Sequence, residues 1–202
     1  MKHPNIIKII CHDIGRHLGC YGVKSINSNA IDTLAKNGIL FKNSFSTSPG
    51  CSPSRAAIAT GMYPHNTGVL GLAHAHFGWS LDKKINHIAK YFSKNGYTSM
   101  LFGLQHVTYH EKTLGFNKIF PERPADEVLK NFTKIIDSKI FKKPFYAEVN
   151  FFEPHRPFDY GGVKPDKSKG VYIPKYIPKN IYSQREFAEM QGAIKKMDNS
   201  VK

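Results

Sequence analysis

The stretch Cys51-Ser52-Pro53-Ser54-Arg55, followed by Ala56-Ala57-Ile58-Ala59-Thr60-Gly61, sets a nucleophile, a helix start and a cation within one helical turn. Proline is favoured in the first turn of a helix and glycine just past its end. The segment is therefore predicted to be a short helix with Cys51 at or just before its N-terminus. Free backbone N–H groups and the helix macrodipole attract anions at such a position. Arg55, one turn on, can reach the same place. A nucleophile, a helix N-terminus and an arginine together suit chemistry on a tetrahedral oxyanion such as sulfate. An ordinary capped helix with a buried cysteine reads the same spacing equally well.

Further polar residues sit where strands should end. Four short apolar runs read as buried strands: 5–11, 39–45, 98–103 and 145–152. Helical spacing lies between them. Ala30, Ile31, Leu34 and Ala35 share a face, stopped by Gly38; Ile85, Ile88, Ala89 and Phe92 share another, stopped by Gly96. Val128, Leu129, Phe132, Ile135 and Ile136 make a third. Strands alternating with helices predict an α/β fold, with a largely parallel sheet and helices on both faces. Ligands in such sheets bind beyond the carboxyl ends of the strands. His12 and Asp13 follow the first strand, His106 the third and Glu153 to His155 the fourth, so these groups are predicted to gather at one edge. Residues 157–182, rich in Gly, Pro, Lys and Tyr, read as a long irregular loop. Residues 183–202 read as an amphipathic helix with Ser183 as its cap. The chain stops inside that helix, which predicts one domain over 1–202, incomplete at its C-terminus.

Composition narrows the function classes. Apolar residues at 41% and charged residues at 22% are ordinary for a globular chain, so a packed core is expected. The net charge of +14 would suit nucleic acid or an anionic substrate. The lysines, however, are dispersed and form no arginine-rich or aromatic-interleaved stripe, which points to a solvated surface and no nucleic-acid partner. No run approaches the roughly 20 apolar residues of a membrane span, so no membrane partner is expected. The apolar run at Ile6–Ile10 is too short for a signal peptide, and no cleavage site follows it. Three scattered cysteines, Cys11, Cys20 and Cys51, do not make a disulfide framework. Together these features predict a cytoplasmic location.

Several motifs, in order, resemble one family. The C-x-P-x-R stretch with its following Thr60-Gly61 resembles the sulfatase signature, in which the cysteine is oxidised to formylglycine. Pro4-Asn5-Ile6-Ile7 and Gly19-Cys20-Tyr21-Gly22 resemble the family's opening strand and the glycine-rich turn after it. Ala30–Ala35 with Gly38 and Phe41, and then Gly61–His65 with Gly68-Val69, resemble the segments on either side of the signature. Gly71-Leu72 with His74 and His76, and later Pro154-His155-Arg156, look most like the sulfamidase (heparan N-sulfatase) branch. The likeness covers nearly the whole chain and implies an alkaline-phosphatase-like fold.

The resemblance implies roles residue by residue. Cys51, as formylglycine hydrate, would be the nucleophile, and Arg55 would hold it. His106 would contact the formylglycine. His155 would lie near the sulfate as leaving-group acid or ligand. His74, His76 and Gln105 would line the substrate site. Asp13, His12 and Cys51 would face a divalent metal, calcium by family habit. The expected partners are a sulfated carbohydrate or other small sulfated substrate and a formylglycine-generating enzyme.

Three departures stand out. Sulfatases usually carry two aspartates after the first strand, where this chain has His12-Asp13; calcium prefers oxygen donors, so the imidazole would weaken it or favour a softer ion. Leu104 stands where the family has a lysine. Asp198-Asn199 looks like the family's later Asp-Asn metal pair, but it falls within the final helical pattern and is not assigned to metal. Two alternatives stay open: a phosphoester or phosphonate hydrolase of the same superfamily, and an inactive truncated pseudoenzyme.

Overall fold

The structure is a computed structural model that describes residues 3–74, 76, 78–138 and 143–202. It divides into two compact units. The first comprises Met1–Ile10, Phe45–Glu122 and Asn131–Asn150; the second comprises Cys11–Ser44, Arg123–Lys130 and Phe151–Lys202.

The first unit is built on a sheet of β1 (Ile6–Ile10), β2 (Thr98–Gly103), β3 (Lys118–Phe120) and β4 (Phe145–Asn150), in the order β1-β4-β2-β3. Every pairing is parallel, as the alternating pattern predicts. Strands at the centre of a parallel sheet are covered on both faces and read as continuous apolar runs. β2 and β4 follow that rule, buried along almost their whole length. This unit also holds the helices α2 (Cys51–Thr60), α3 (Pro64–Thr67) and α4 (Ile88–Lys94). Ala56, Val69, Leu81, Val107 and Leu114 form one core cluster, with Ile85 and Phe116 packed against it.

A buried polar cluster interrupts this apolar interior. Tyr146 and Glu148 lie two apart on β4, and Lys8 faces Glu148 across the β1 pairing. Glu148 accepts from the Tyr146 hydroxyl at 2.7 Å and pairs with Lys8 Nζ at 3.0 Å. His87 Nε2 approaches the same carboxylate at 4.0 Å, while His87 Nδ1 accepts from Ala89 N and so caps α4. Burial pushes the Glu148 carboxyl up, but Lys8, His87 and Tyr146 together pull it below its ordinary value. Burial lowers the His87 pKa to about 4, so this imidazole is neutral at pH 7 and its contact with Glu148 is not an ion pair there.

The second unit holds α1 (Asn29–Asn37), α6 (Ile181–Val201) and residues 151–180. α5 (Ala125–Asp137) begins in the second unit and ends in the first. The Glu153 carboxylate, nearly inaccessible, accepts from Ala125 N with both oxygens at 3.1 Å and so caps α5. Ser28, the residue before α1, makes no cap to its own helix; its hydroxyl bonds Gly19 N and Asp32 instead. Asp198 of α6 fills the vacancy by accepting from Ala30 N at 3.0 Å and Ile31 N at 2.9 Å. Asp198 is thus engaged at the start of α1.

Three sequence expectations need correction. Residues 39–45 form no strand; Ile39 and Phe41, in the second unit, are well exposed. α6 starts at Ile181 with Asn180 as its cap, and Ser183 is the reciprocal member of the capping box. The helix expected from Ile85 begins only at Ile88. The loop at 157–182 is irregular up to the start of α6, with a single isolated bridge from Ser168 to Gly170. Gly192 lets α6 approach this segment, since a Cβ there would run into the Lys164 carbonyl. Among the described residues, no helix is long and apolar enough to cross a membrane.

Candidate active site and metal centre

In the first unit, Cys51 is the first residue of α2, as the spacing predicts, and Gly61 ends the helix in the left-handed conformation with its N–H on the Ala57 carbonyl. Cys51 is half-buried, and none of the three cysteines is in a disulfide. Arg55 is buried, and its Nη1 donates to the Leu104 carbonyl at 3.1 Å, which ties α2 to the loop leaving β2. Ser52 Oγ accepts from Ala73 N at 2.9 Å, which ties the start of α2 to the loop carrying His74. His74 Nδ1 and His106 Nε2 lie 2.9 Å apart, with the rings stacked at 5.1 Å. Three segments distant in sequence therefore meet around the N-terminus of α2.

One proton bridges the His74–His106 contact, so one ring donates and the other accepts. Gln105, expected at the substrate, makes contacts that brace its own loop. Its Oε1 accepts from Val107 N at 2.6 Å and Thr108 N at 3.1 Å, and its Nε2 donates to the Thr108 carbonyl at 2.6 Å. His76 is exposed.

In the second unit, His12, Asp13 and His155 come together with one ligand atom from each lying within 4.8 Å of the others. His12 is buried and Asp13 is exposed. The backbone N–H of His12 donates to the Glu153 carbonyl at 3.2 Å, which brings the segment after β1 beside the segment after β4. Asp13 and His155 also line a cavity of about 390 Å³ with Pro154, Arg156, Phe158 and Met190. Arg156 is ion-paired with Glu186. Cys51, expected as a third metal ligand, belongs to the first unit.

Backbone conformation singles out one residue in each group. Among the described residues, the non-glycine positions at positive φ are Asp13 (44°) and His106 (59°). That region costs an ordinary residue on the order of 1–3 kcal/mol and is held where the surroundings over-determine it, commonly at functional sites. Sequence reading found neither the His74–His106 pair nor the bracing role of Ser52. Both contacts are long-range, and no local spacing encodes them.

The Sulfatase family model matches residues 4–202. Human N-sulphoglucosamine sulphohydrolase is 25% identical, over 98% of this chain and 45% of that protein. An ulvan-active sulfatase of Formosa agariphila is 33% identical, over 89% of this chain and 35% of that protein. The chain thus spans less than half the length of these curated relatives. The crystal structure of Ps i-CgsB in complex with k-i-k-neocarrahexaose matches with a TM-score of 0.76 at 20% identity, over 99% of this chain and 53% of that one. The phosphonate monoester hydrolase of Agrobacterium radiobacter matches with a TM-score of 0.72 at 17% identity, over 98% of this chain and 58% of that one. At these identities the structural likeness establishes the fold alone.

Proposed function

The chain belongs to the sulfatase family, and on that premise we propose that it serves the hydrolysis of a sulfate ester or N-sulfate on a carbohydrate, through a formylglycine made from Cys51. The observation that carries this reading is that α2 opens with Cys51 and is tied by Ser52 and Arg55 to the two loops whose His74 and His106 pair with each other. The curated relatives named above act on sulfated sugars by their names, which supports the substrate class.

As formylglycine hydrate, position 51 supplies one hydroxyl to attack sulfur and a second whose deprotonation expels sulfate. The chain's own groups do the rest. The first backbone N–H groups of α2 point at the anion, and the Arg55 guanidinium offsets charge that builds on its oxygens. Arg55 is pre-positioned by its bond to the Leu104 carbonyl, so little reorganisation is needed. Leu104 itself offers no cation, which leaves Arg55 and the helix end to hold the sulfate. The bridged imidazoles hold one proton between His74 Nδ1 and His106 Nε2. Protonated on a further, outer ring nitrogen, the pair can give that proton to a leaving oxygen or nitrogen and regain one from the attacking hydroxyl.

Sulfatases generally use a divalent ion as well as the formylglycine. Calcium takes about six to eight oxygen ligands. Of the three residues grouped in the second unit, Asp13 alone supplies oxygen. The donor set suits calcium poorly.

Co-expression with a formylglycine-generating enzyme tests the reading. Mass spectrometry of the peptide containing position 51 should show loss of the thiol sulfur and gain of an aldehyde oxygen. A peptide that stays a thiol while a control sulfatase is converted removes the nucleophile and leaves an inactive relative. A converted chain that cleaves a phosphonate or phosphate ester and no sulfated sugar favours the phosphoester alternative.

A further inference from the structure

We infer that His12, Asp13 and His155 form a two-histidine, one-carboxylate centre for a nitrogen-accepting first-row transition ion, zinc being the leading occupant, in place of a calcium site. The spacing carries the argument first. His12 Nδ1 lies 3.8 Å from Asp13 Oδ1, and His155 Nε2 lies 3.8 Å from Asp13 Oδ2. Both separations are too long for hydrogen bonds. Donor atoms around one tetrahedral zinc with bonds of about 2.0–2.1 Å stand roughly 3.3 Å apart. These distances run to different oxygens of Asp13; with one ligand atom from each residue the three atoms lie within 4.8 Å of one another, so an ion would draw them together by up to roughly 1.5 Å. The two imidazole rings stand edge to face at 4.9 Å, not stacked.

The chemistry of His155 points the same way. Its Nδ1 lies on the Arg156 carbonyl oxygen in a short hydrogen bond. A carbonyl only accepts, so Nδ1 carries the hydrogen. In the neutral ring Nε2 then presents a lone pair, and Nε2 is the atom that faces Asp13. A backbone carbonyl that fixes the tautomer of an imidazole is the usual outer support of a metal-binding histidine. Asp13 is held at φ 44°, and the Phe152 ring lies 5.8 Å from His12 and 4.9 Å from His155. Softer nitrogen donors select zinc, cobalt or copper over calcium, whereas three oxygen donors would not. Three protein ligands leave a position open toward the cavity that Asp13 and His155 line, the pattern of catalytic rather than structural zinc.

Metal binding here stands or falls separately from conversion of Cys51. The probes are cobalt(II) and zinc(II) chloride added to the metal-free 202-residue chain. One equivalent of cobalt should develop visible absorption. Zinc should displace it stoichiometrically, and a large excess of calcium should not. His155→Gln should weaken cobalt binding by about tenfold or more. His12→Asp should lower the preference for cobalt over calcium by a similar factor. X-ray absorption of the zinc-loaded native chain should count two imidazoles per ion, and it needs no variant to fold. An oxygen-only shell, calcium competing on equal terms, no cobalt binding, or unchanged cobalt affinity in His155→Gln would each overturn the assignment.

Discussion

At the scale of single residues, the buried imidazole of His87 carries the clearest measurable consequence. Its folded pKa of about 4 lies below the ordinary 6.5 because burial disfavours the cation, an effect that outweighs attraction to Glu148. Above pH 6.5 both folded and unfolded chains hold it neutral, and it contributes no pH dependence. As pH falls from 6.5 toward 4, the unfolded chain takes up a proton that the folded chain refuses. Stability is lost across that window, by up to about 3 kcal/mol. Glu148 acts lower: its carboxyl is held below its ordinary value, so its contribution disappears only as acid protonates the folded form. His87→Asn keeps a side-chain acceptor for Ala89 N and removes the titration. Urea denaturation at a series of pH values should show the loss between 6.5 and 4 in the parent and a flatter profile in the variant. An equal slope in both would place the acid sensitivity elsewhere. Residue-level legibility followed locality. Cys51 and Arg55 are one turn apart, and their relation was readable from spacing. His74 and His106 are 32 positions apart, and His155 meets Asp13 across the loop after β4; only the folded chain brings those pairs together.

At the scale of elements, the sequence marked regular structure well where an element satisfies its own backbone, and less well where it needs a distant neighbour. β2 occupies the predicted 98–103, and β1 and β4 lie within their predicted runs. β3 has only three residues, too few for alternation to show, and it was missed. Residues 39–45 have strand-like composition, but a strand exists only when another strand takes up its N–H and C=O groups. The ends of helices show the same dependence. α1 borrows its cap from Asp198, more than 150 residues away, and no pattern near Ser28 announces this. Removing that carboxylate leaves two N–H groups at the start of α1 without their acceptor. Asp198→Ala should cost about 1–2 kcal/mol of stability, and Asp198→Asn, which keeps one acceptor oxygen, clearly less. Equilibrium unfolding of both variants checks it; equal losses would mean that the negative charge, rather than the hydrogen bonds, does the capping.

At the scale of the whole molecule, several large apolar side chains lie exposed among the described residues. β1 is an edge strand of a parallel sheet, the kind normally covered on both faces. Its Ile7 and Ile9 are 49% and 41% exposed, and in the same unit Phe45 is 88% exposed. The opposite edge, β3, is short and begins with exposed Lys118, a pattern that discourages pairing. β1 has no such protection: five residues, Ile6-Ile7-Lys8-Ile9-Ile10, of which the one charge is engaged by Glu148. An unpaired edge with apolar side chains recruits a strand from another molecule. The net charge of +14 opposes close approach at low salt, and screening weakens that repulsion as salt rises. The 202-residue chain is therefore expected to self-associate, more strongly at high ionic strength. Substituting Ile7→Thr and Ile9→Thr together should shift it toward monomer while preserving the strand, because threonine keeps β-branching and gives the outer side of β1 a hydroxyl for water. Sedimentation velocity at low and high salt separates the causes. A native chain that stays monomeric at high salt would show that β1 is not sticky. Association that rises with salt but ignores the double substitution would move the contact to Phe45 or to the exposed Ile39 and Phe41 of the second unit.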